Sequence, residues 1–83
     1  MRIFTLSKDY SVVCNFKSTR SGFKHEASLH KNGLSIYQTK ICYLNRTWEA
    51  YEYESILHKV IDANFKGAEH KQFMDAVKWE NVR

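Results

Sequence analysis

The sequence predicts a small α+β domain, a three-stranded antiparallel meander with one face covered by two C-terminal helices (β-β-β-α-α). Two observations predict this class. Apolar and polar residues alternate over residues 10–43 around two turn signals, and after residue 52 the apolar residues recur at helical spacing. A hydrophobic content of 43% without proline is typical of one globular domain, here residues 1–83. Neither a membrane span nor a signal peptide is present in the sequence, so we expect a cytoplasmic protein.

The strongest turn signal is the Asn32-Gly33 pair in SLHKNGLSIYQ, residues 28–38. It supplies the two positive-φ residues of a type I′ turn, which places residue i opposite residue 65 − i. The mostly apolar face of this hairpin is the core candidate and holds the pairs Lys31–Leu34, Leu29–Ile36, Ala27–Gln38, His25–Lys40 and Phe23–Cys42. The other face is mostly polar, is predicted to be wet, and holds the pairs His30–Ser35, Ser28–Tyr37, Glu26–Thr39 and Lys24–Ile41.

The preceding strand is YSVVCNFKS, residues 10–18, whose even positions form an apolar face. The four-residue turn TRSG then sets residue i opposite residue 41 − i, and Val12 faces Leu29. Both turns therefore assign the same core face. The segment RIFTL, residues 2–6, either adds a fourth strand at the edge or lies outside the sheet.

This register also bears on the two cysteines. Cys14 and Cys42 share the core face, but they lie on the two outer strands of the meander. Their expected offset is ~9.6 Å across the sheet and ~13 Å along it, whereas a disulfide needs Cα atoms within ~7 Å. The sequence therefore predicts two free, buried thiols, as is usual in a reducing cytosol.

Two helices are predicted after the sheet. The first has a one-sided apolar stripe and ends near Gly67, which can adopt the left-handed C-terminal conformation. The second is expected over residues 68–81. The stripes consist of Tyr53, Ile56, Leu57, Val60 and Ile61 in the first helix, and of Phe73, Met74 and Val77 in the second.

Trp48 and Tyr51 do not fit the stripe of the first helix. One interpretation starts that helix between residues 51 and 53 and packs Trp48 on the edge of the sheet. The other starts it at Thr47 and exposes both aromatic side chains, which would then suit a protein interface.

Charge is distributed unevenly along the chain. Residues 1–47 hold eight Lys or Arg against two acids, a net +6, and residues 48–83 hold five against seven, a net −2. A basic sheet favours an anionic partner, and nucleic acid is the first candidate. The alternative is a soluble protein that is merely coated with Lys and Arg.

A nucleic-acid site is predicted on the wet face of the sheet and in its adjoining turn. Basic, amide and aromatic side chains on a small sheet can enter a major groove or stack on unpaired bases, although Glu26 in the middle of this face opposes phosphate binding. The topology resembles that of the sheet-reading domains of some integrases and plant transcription factors. The candidate residues for DNA or RNA are Lys17, Arg20, Lys24, His30, Tyr37 and Arg46, with Asn15, Thr39 and Ile41 beside them.

No enzyme or cofactor is expected. His25 and His30 are five residues apart on one strand and so point to opposite faces. His58 and His70 lie on separate helices, and the sequence has neither a Cys-x-x-Cys motif nor a phosphate-cradling glycine loop. The sequence thus predicts no metal site and no catalytic residue, and a binding protein is favoured.

Two runs, TRSGFKHEASLHKNG and KICYLNRTWEAYEYESIL, cover about half the chain. They resemble an uncharacterised family of small bacteriophage and mobile-element proteins that share a TRxGFKH start and a YxNRTWE segment. The resemblance implies an accessory protein that acts in the host cytoplasm by binding a host or phage component. No function or site residue accompanies it.

The resemblance draws attention to a patch at one end of the sheet, made of Arg20, Lys24, Asn45, Arg46 and Trp48. In a purely structural interpretation, Asn45 and Thr47 cap the helix and Arg46 pairs with a nearby glutamate.

A second function class is a protein-interaction module, either a modulator of a host machine or a homodimer. It rests on four side chains that are hard to bury all at once: Tyr37, Ile41, Trp48 and Tyr51.

Overall fold

The computed structural model describes residues 1–44 and 53–77. It has a four-stranded antiparallel sheet in the order β1-β2-β3-β4, followed by two helices. The elements are β1 (Arg2–Thr5), β2 (Tyr10–Ser18), β3 (Phe23–Lys31), β4 (Leu34–Tyr43), α1 (Tyr53–Asn64) and α2 (Gly67–Val77). The predicted α+β class is confirmed, and of the two alternatives for the N-terminal segment the fourth strand is correct, as Arg2–Thr5.

The two turns fold as their residues predict. Asn32 and Gly33 both adopt positive φ, and the Thr19 N–H donates to the Gly22 carbonyl across the four-residue turn between β2 and β3. The register between those strands follows the predicted rule along its whole length, so that Val12 pairs with Leu29.

The register between β3 and β4 departs from the prediction after two pairs. His30 still pairs with Ser35, but Leu29 pairs with Tyr37 instead of Ile36, and every later pair is displaced by one residue. This β-bulge turns the rest of β4 over, because side chains alternate faces along a strand. The predicted faces are therefore wrong beyond Ser35. Tyr37, Thr39 and Ile41 belong to the helix side, and Gln38, Lys40 and Cys42 to the solvent side.

The cost of burying polar groups explains the bulge. In the predicted register Gln38 and Lys40 would face the helices and lose part of their hydration, which is unfavourable. The bulge replaces them with Tyr37 and Ile41, which pack against the core. Ile36 was predicted in the core, and it is 52% exposed.

The core lies between the sheet and the helices. Both predicted helical stripes are confirmed, and Gly67 has the expected positive φ. The second helix is described to Val77, and the rest of its predicted span lies outside the described residues. The buried hydrophobic cluster consists of Phe4, Leu6, Val12, Cys14, Ala27, Leu29, Ile56, Leu57, Val60, Ile61, Phe65, Phe73 and Val77.

His25 is a polar residue inside this core. Its exposure is 0%, its ring stacks on Phe16 at a centroid distance of 4.0 Å, and the Tyr53 ring lies edge-on at 5.2 Å. Among the described residues neither ring nitrogen has a hydrogen-bond partner. Burial lowers the pKa of His25 to about 4, because the protonated ring would lose its hydration.

The structure should therefore lose stability in mild acid through His25. Its folded-state pKa lies below the unfolded value of ~6.5, so the unfolded chain takes up the proton first and stability falls as the pH drops from ~6.5 toward 4. Between pH 7 and pH 5 we expect a loss of about 2 kcal/mol in the free energy of unfolding. Urea titrations at both pH values measure it. The His25→Phe variant should lack most of this loss and His30→Gln should retain it. An equal loss in wild type and His25→Phe would contradict the assignment.

Gly22 is required by a close approach of two chain segments. A Cβ at this position would overlap the Tyr43 carbonyl oxygen and lie 2.8 Å from the Leu44 carbonyl carbon. Both neighbours are backbone at the end of β4, so neither can rotate away.

We expect Gly22→Ala to destabilise the fold by about 2–3 kcal/mol, because the start of β3 and the end of β4 must separate. The control is Gly67→Ala, where nothing lies within 4 Å of the added Cβ and only the positive φ of 63° is unfavourable, at a cost of about 1 kcal/mol. Urea midpoints followed by circular dichroism compare the two. A smaller loss for Gly22→Ala than for Gly67→Ala would contradict the close approach.

Candidate nucleic-acid interface

One face of the sheet packs on the helices, and the opposite face, here called the open face, carries polar side chains. It combines alternate residues of the four strands, as the register of each strand pair requires. Its members are Ile3, Thr5, Ser11, Val13, Asn15, Lys17, Lys24, Glu26, Ser28, His30, Ser35, Gln38, Lys40 and Cys42.

The centre of the open face is a cluster of lysines around one carboxylate. Lys17 Nζ lies 3.0 Å from Glu26 Oε1 and Lys24 Nζ lies 3.7 Å from Oε2. Lys40 lies directly opposite Glu26 in the register of β3 and β4. The hydrogen bond from Lys17, reinforced by the charges of both lysines, lowers the pKa of Glu26 below its usual value. Three lysines against one glutamate leave a net charge of +2 here.

Beside this cluster the open face has a shallow depression of about 220 Å³. Its walls carry the amides of Asn15 and Gln38, the hydroxyl of Ser28 and the carboxylate of Glu26. Amide groups donate and accept hydrogen bonds at once, as reading a base edge requires. The arrangement thus places hydrogen-bonding groups in a hollow and cations beside it.

Three of the predicted nucleic-acid residues share the open face: Lys17, Lys24 and His30. Arg20 is exposed in the turn that joins β2 to β3. The placement of Tyr37 on this face was wrong, because the bulge turns it toward the helices, where it is half-buried. Arg46 lies outside the described residues, as do Asn45 and Thr47.

Gln38 and Lys40 lie on the open face, although the sequence predicts both on the core face. That prediction extends the hairpin register along the whole of β4. The signal that could have found them is the composition of residues 37–43, in which Tyr, Thr, Ile and Tyr alternate with Gln, Lys and Cys. Only the Tyr, Thr and Ile positions suit a core.

Two of the four residues of the alternative interface, Tyr37 and Ile41, can be placed in the structure. Ile41, like Tyr37, lies on the helix side and packs partly buried against the core. Trp48 and Tyr51 lie outside the described residues. The exposed apolar side chains of β4 are instead Leu34 and Ile36, at 72% and 52%.

Residues 1–44 and 53–77 contain no group of three or more His, Cys, Asp or Glu side chains placed to hold a metal ion. Over the same residues, no helix is both long and apolar enough to span a membrane.

No family model matches the chain, and neither curated proteins nor solved structures show significant similarity to it. The resemblance to small phage proteins stays a prediction.

The open face also distinguishes the two thiols, which are both free. Cys14 is buried as predicted, but the prediction for Cys42 was wrong, because the bulge places it on the open face, where it is exposed. Burial raises the pKa of Cys14 to about 12, which suppresses its reactive thiolate.

We therefore expect one fast-reacting thiol per native chain in a titration with a chromogenic disulfide reagent at pH 8. Cys42→Ser should remove the fast phase, whereas Cys14→Ala should leave it in place. The second thiol should react in denaturant. Two thiols reacting at one rate in the native protein would contradict the assignment.

Proposed function

We propose that this protein binds double-stranded DNA through the open face of its sheet. The observation that carries the proposal is the juxtaposition of Lys17, Lys24 and Lys40 with the hydrogen-bonding depression on a face that the helices leave uncovered. Lysines supply phosphate contacts and the salt-dependent part of the affinity. Amide and hydroxyl groups supply contacts to base edges.

The composition of the open face favours a duplex over a single strand. Single strands are commonly bound by stacking their bases on aromatic side chains. None of the open-face residues that the structure describes is Phe, Tyr or Trp. A sheet surface can instead enter the major groove of B-DNA, which displays a distinct donor and acceptor pattern for each base pair. The deep, narrow major groove of an RNA duplex does not admit it.

Glu26 is compatible with this proposal as an internal counter-ion. It holds Lys17 and Lys24 over the face in the unbound protein. These are partly exposed ion pairs, which stabilise a protein by only about 0–1 kcal/mol. Phosphate groups can therefore replace Glu26 as the partner of these lysines at little cost in free energy. The freed carboxylate can accept a hydrogen bond from a cytosine amino group.

Charge asymmetry would orient the protein on DNA. Residues 1–44 carry seven Lys or Arg against two acids, whereas residues 53–77 carry three against four. The helices lie behind the sheet, so their negative charge faces away from a duplex on the open face. Such an uneven field steers the basic side toward a polyanion. Binding of this kind would suit the cytoplasmic location expected from the sequence.

Fluorescence anisotropy with a labelled duplex of about 20 base pairs tests the proposal. We expect binding that weakens steeply between ~50 and ~200 mM salt. Lys17→Ala and Lys40→Ala should each weaken it by roughly threefold to tenfold and reduce the salt slope by about one. Glu26→Gln should strengthen it, because one negative charge leaves the face.

The matched control is Lys71→Ala, which removes the same charge from α2, away from the open face. It should bind like wild type. Duplex RNA and single-stranded DNA serve as competitors and should compete less well than duplex DNA. The proposal fails if no binding is seen at low salt, if Lys71→Ala weakens binding as much as Lys17→Ala, or if single-stranded DNA binds more tightly.

A further inference from the structure

In the part of the chain that the structure describes, the outer edge of β4 is poorly protected against pairing with another strand. β4 is ten residues long and forms one edge of the sheet, opposite the four-residue β1. Edge strands present unpaired backbone groups, and proteins commonly shield them with proline, charged side chains or bulges. The chain contains no proline, and Lys40 is the one charged residue of β4. The bulge lies near the start of the strand and leaves residues 37–43 regular.

The sequence of this edge is self-complementary about Thr39. In an antiparallel pair of identical strands centred there, Gln38 lies opposite the partner's Lys40, Tyr37 opposite the partner's Ile41, and Ile36 opposite the partner's Cys42. We propose that two copies of this chain pair through β4 about a two-fold axis at Thr39 and form a continuous eight-stranded sheet. Such an interface is isologous, as in most soluble homodimers.

The two faces of β4 both favour this register. On the helix side Tyr37 and Ile41 are half-buried and pack against the edge of the core. In the dimer, Tyr37 of each copy covers the partner's Ile41, and the core extends through the interface. On the open face the lysine meets an amide, not another lysine.

Neighbouring registers are less favourable. An axis at Lys40 places the two lysines directly opposite each other, and like charges in that position are destabilising. An axis at Gln38 places Tyr37 opposite a threonine and Lys40 opposite Ile36, which separates the aromatic side chain from its apolar partner. Thr39 is therefore the expected centre.

The structure also contains a competitor for this edge. The Lys59 side chain reaches from α1 and donates from Nζ to the Lys40 carbonyl at 2.9 Å. This bond marks Lys40 as a residue whose backbone groups face away from β3. In the dimer the same carbonyl accepts from the backbone N–H of the partner's Gln38, so Lys59 must withdraw.

A two-fold axis normal to the sheet keeps both open faces on one side. The lysine clusters of the two copies then line a single surface, and all four helices lie behind it. The proposal stands on the β4 edge alone and does not require DNA binding.

A cysteine scan tests the register of the two paired β4 strands directly. Thr39→Cys, Gln38→Cys and Lys40→Cys are each made in a Cys42→Ser background and oxidised with diamide. Opposite residues of an antiparallel pair have Cα atoms about 4.5–5.5 Å apart, within disulfide range. With the axis at Thr39, the two copies of residue 38, or of residue 40, lie roughly 8 Å apart. We expect Thr39→Cys to form a covalent dimer at least fivefold faster than the other two.

Sedimentation equilibrium of the wild-type chain up to about 200 µM gives the mass independently. We expect a dimer, tightened roughly fivefold by Lys59→Met because the competing hydrogen bond is removed. Lys66→Met is the matched control on the same side of the fold and should leave the affinity unchanged. A monomer at the highest concentration, faster cross-linking at position 38 or 40, or equal effects of the two lysine variants would each overturn the proposal.

Discussion

The β-bulge in β4 is the constraint on which both faces of this structure depend. One residue, Ile36, has no partner on β3, and every residue after it is displaced by one position. The displacement sends Tyr37 and Ile41 to the helices and Gln38 and Lys40 to solvent. The alternative register would have turned an amide and an ammonium group toward the helices, where both would lose part of their hydration.

β3 shows how sharply the two faces differ, because adjacent residues of one strand lie in opposite environments. His25 is enclosed by aromatic rings, and the loss of hydration lowers its pKa. Glu26 stands on the open face, where Lys17 lowers its pKa by stabilising the charged form. Both pKa values are lowered, but for different reasons. Burial keeps His25 neutral, whereas the neighbouring lysines keep Glu26 charged.

Much of the fold follows from local sequence signals. The Asn32-Gly33 turn, the register between β2 and β3 and the helical stripes each depend on a few adjacent residues, and each is confirmed. The bulge is different, because it results from competition between turn geometry, which favours one register, and burial, which favours the other. Lys17, Lys24 and His30 could be placed on the open face because β2 and β3 are regular. Gln38 and Lys40 could not, since a turn fixes register only as far as the strand stays regular.

The Phe4–Tyr53 contact has a consequence for the order of folding. Strands that are consecutive in the sequence are neighbours in the sheet. The sheet can therefore assemble one hairpin at a time from contacts that are close in sequence. Phe4 in β1 meets Tyr53 in α1 at a ring distance of 5.1 Å and joins segments almost fifty residues apart. Closing a loop of that length carries a larger entropic cost than closing any of the three hairpins. The hairpins should therefore form first, and the contact that joins the first strand to the first helix should complete the native structure.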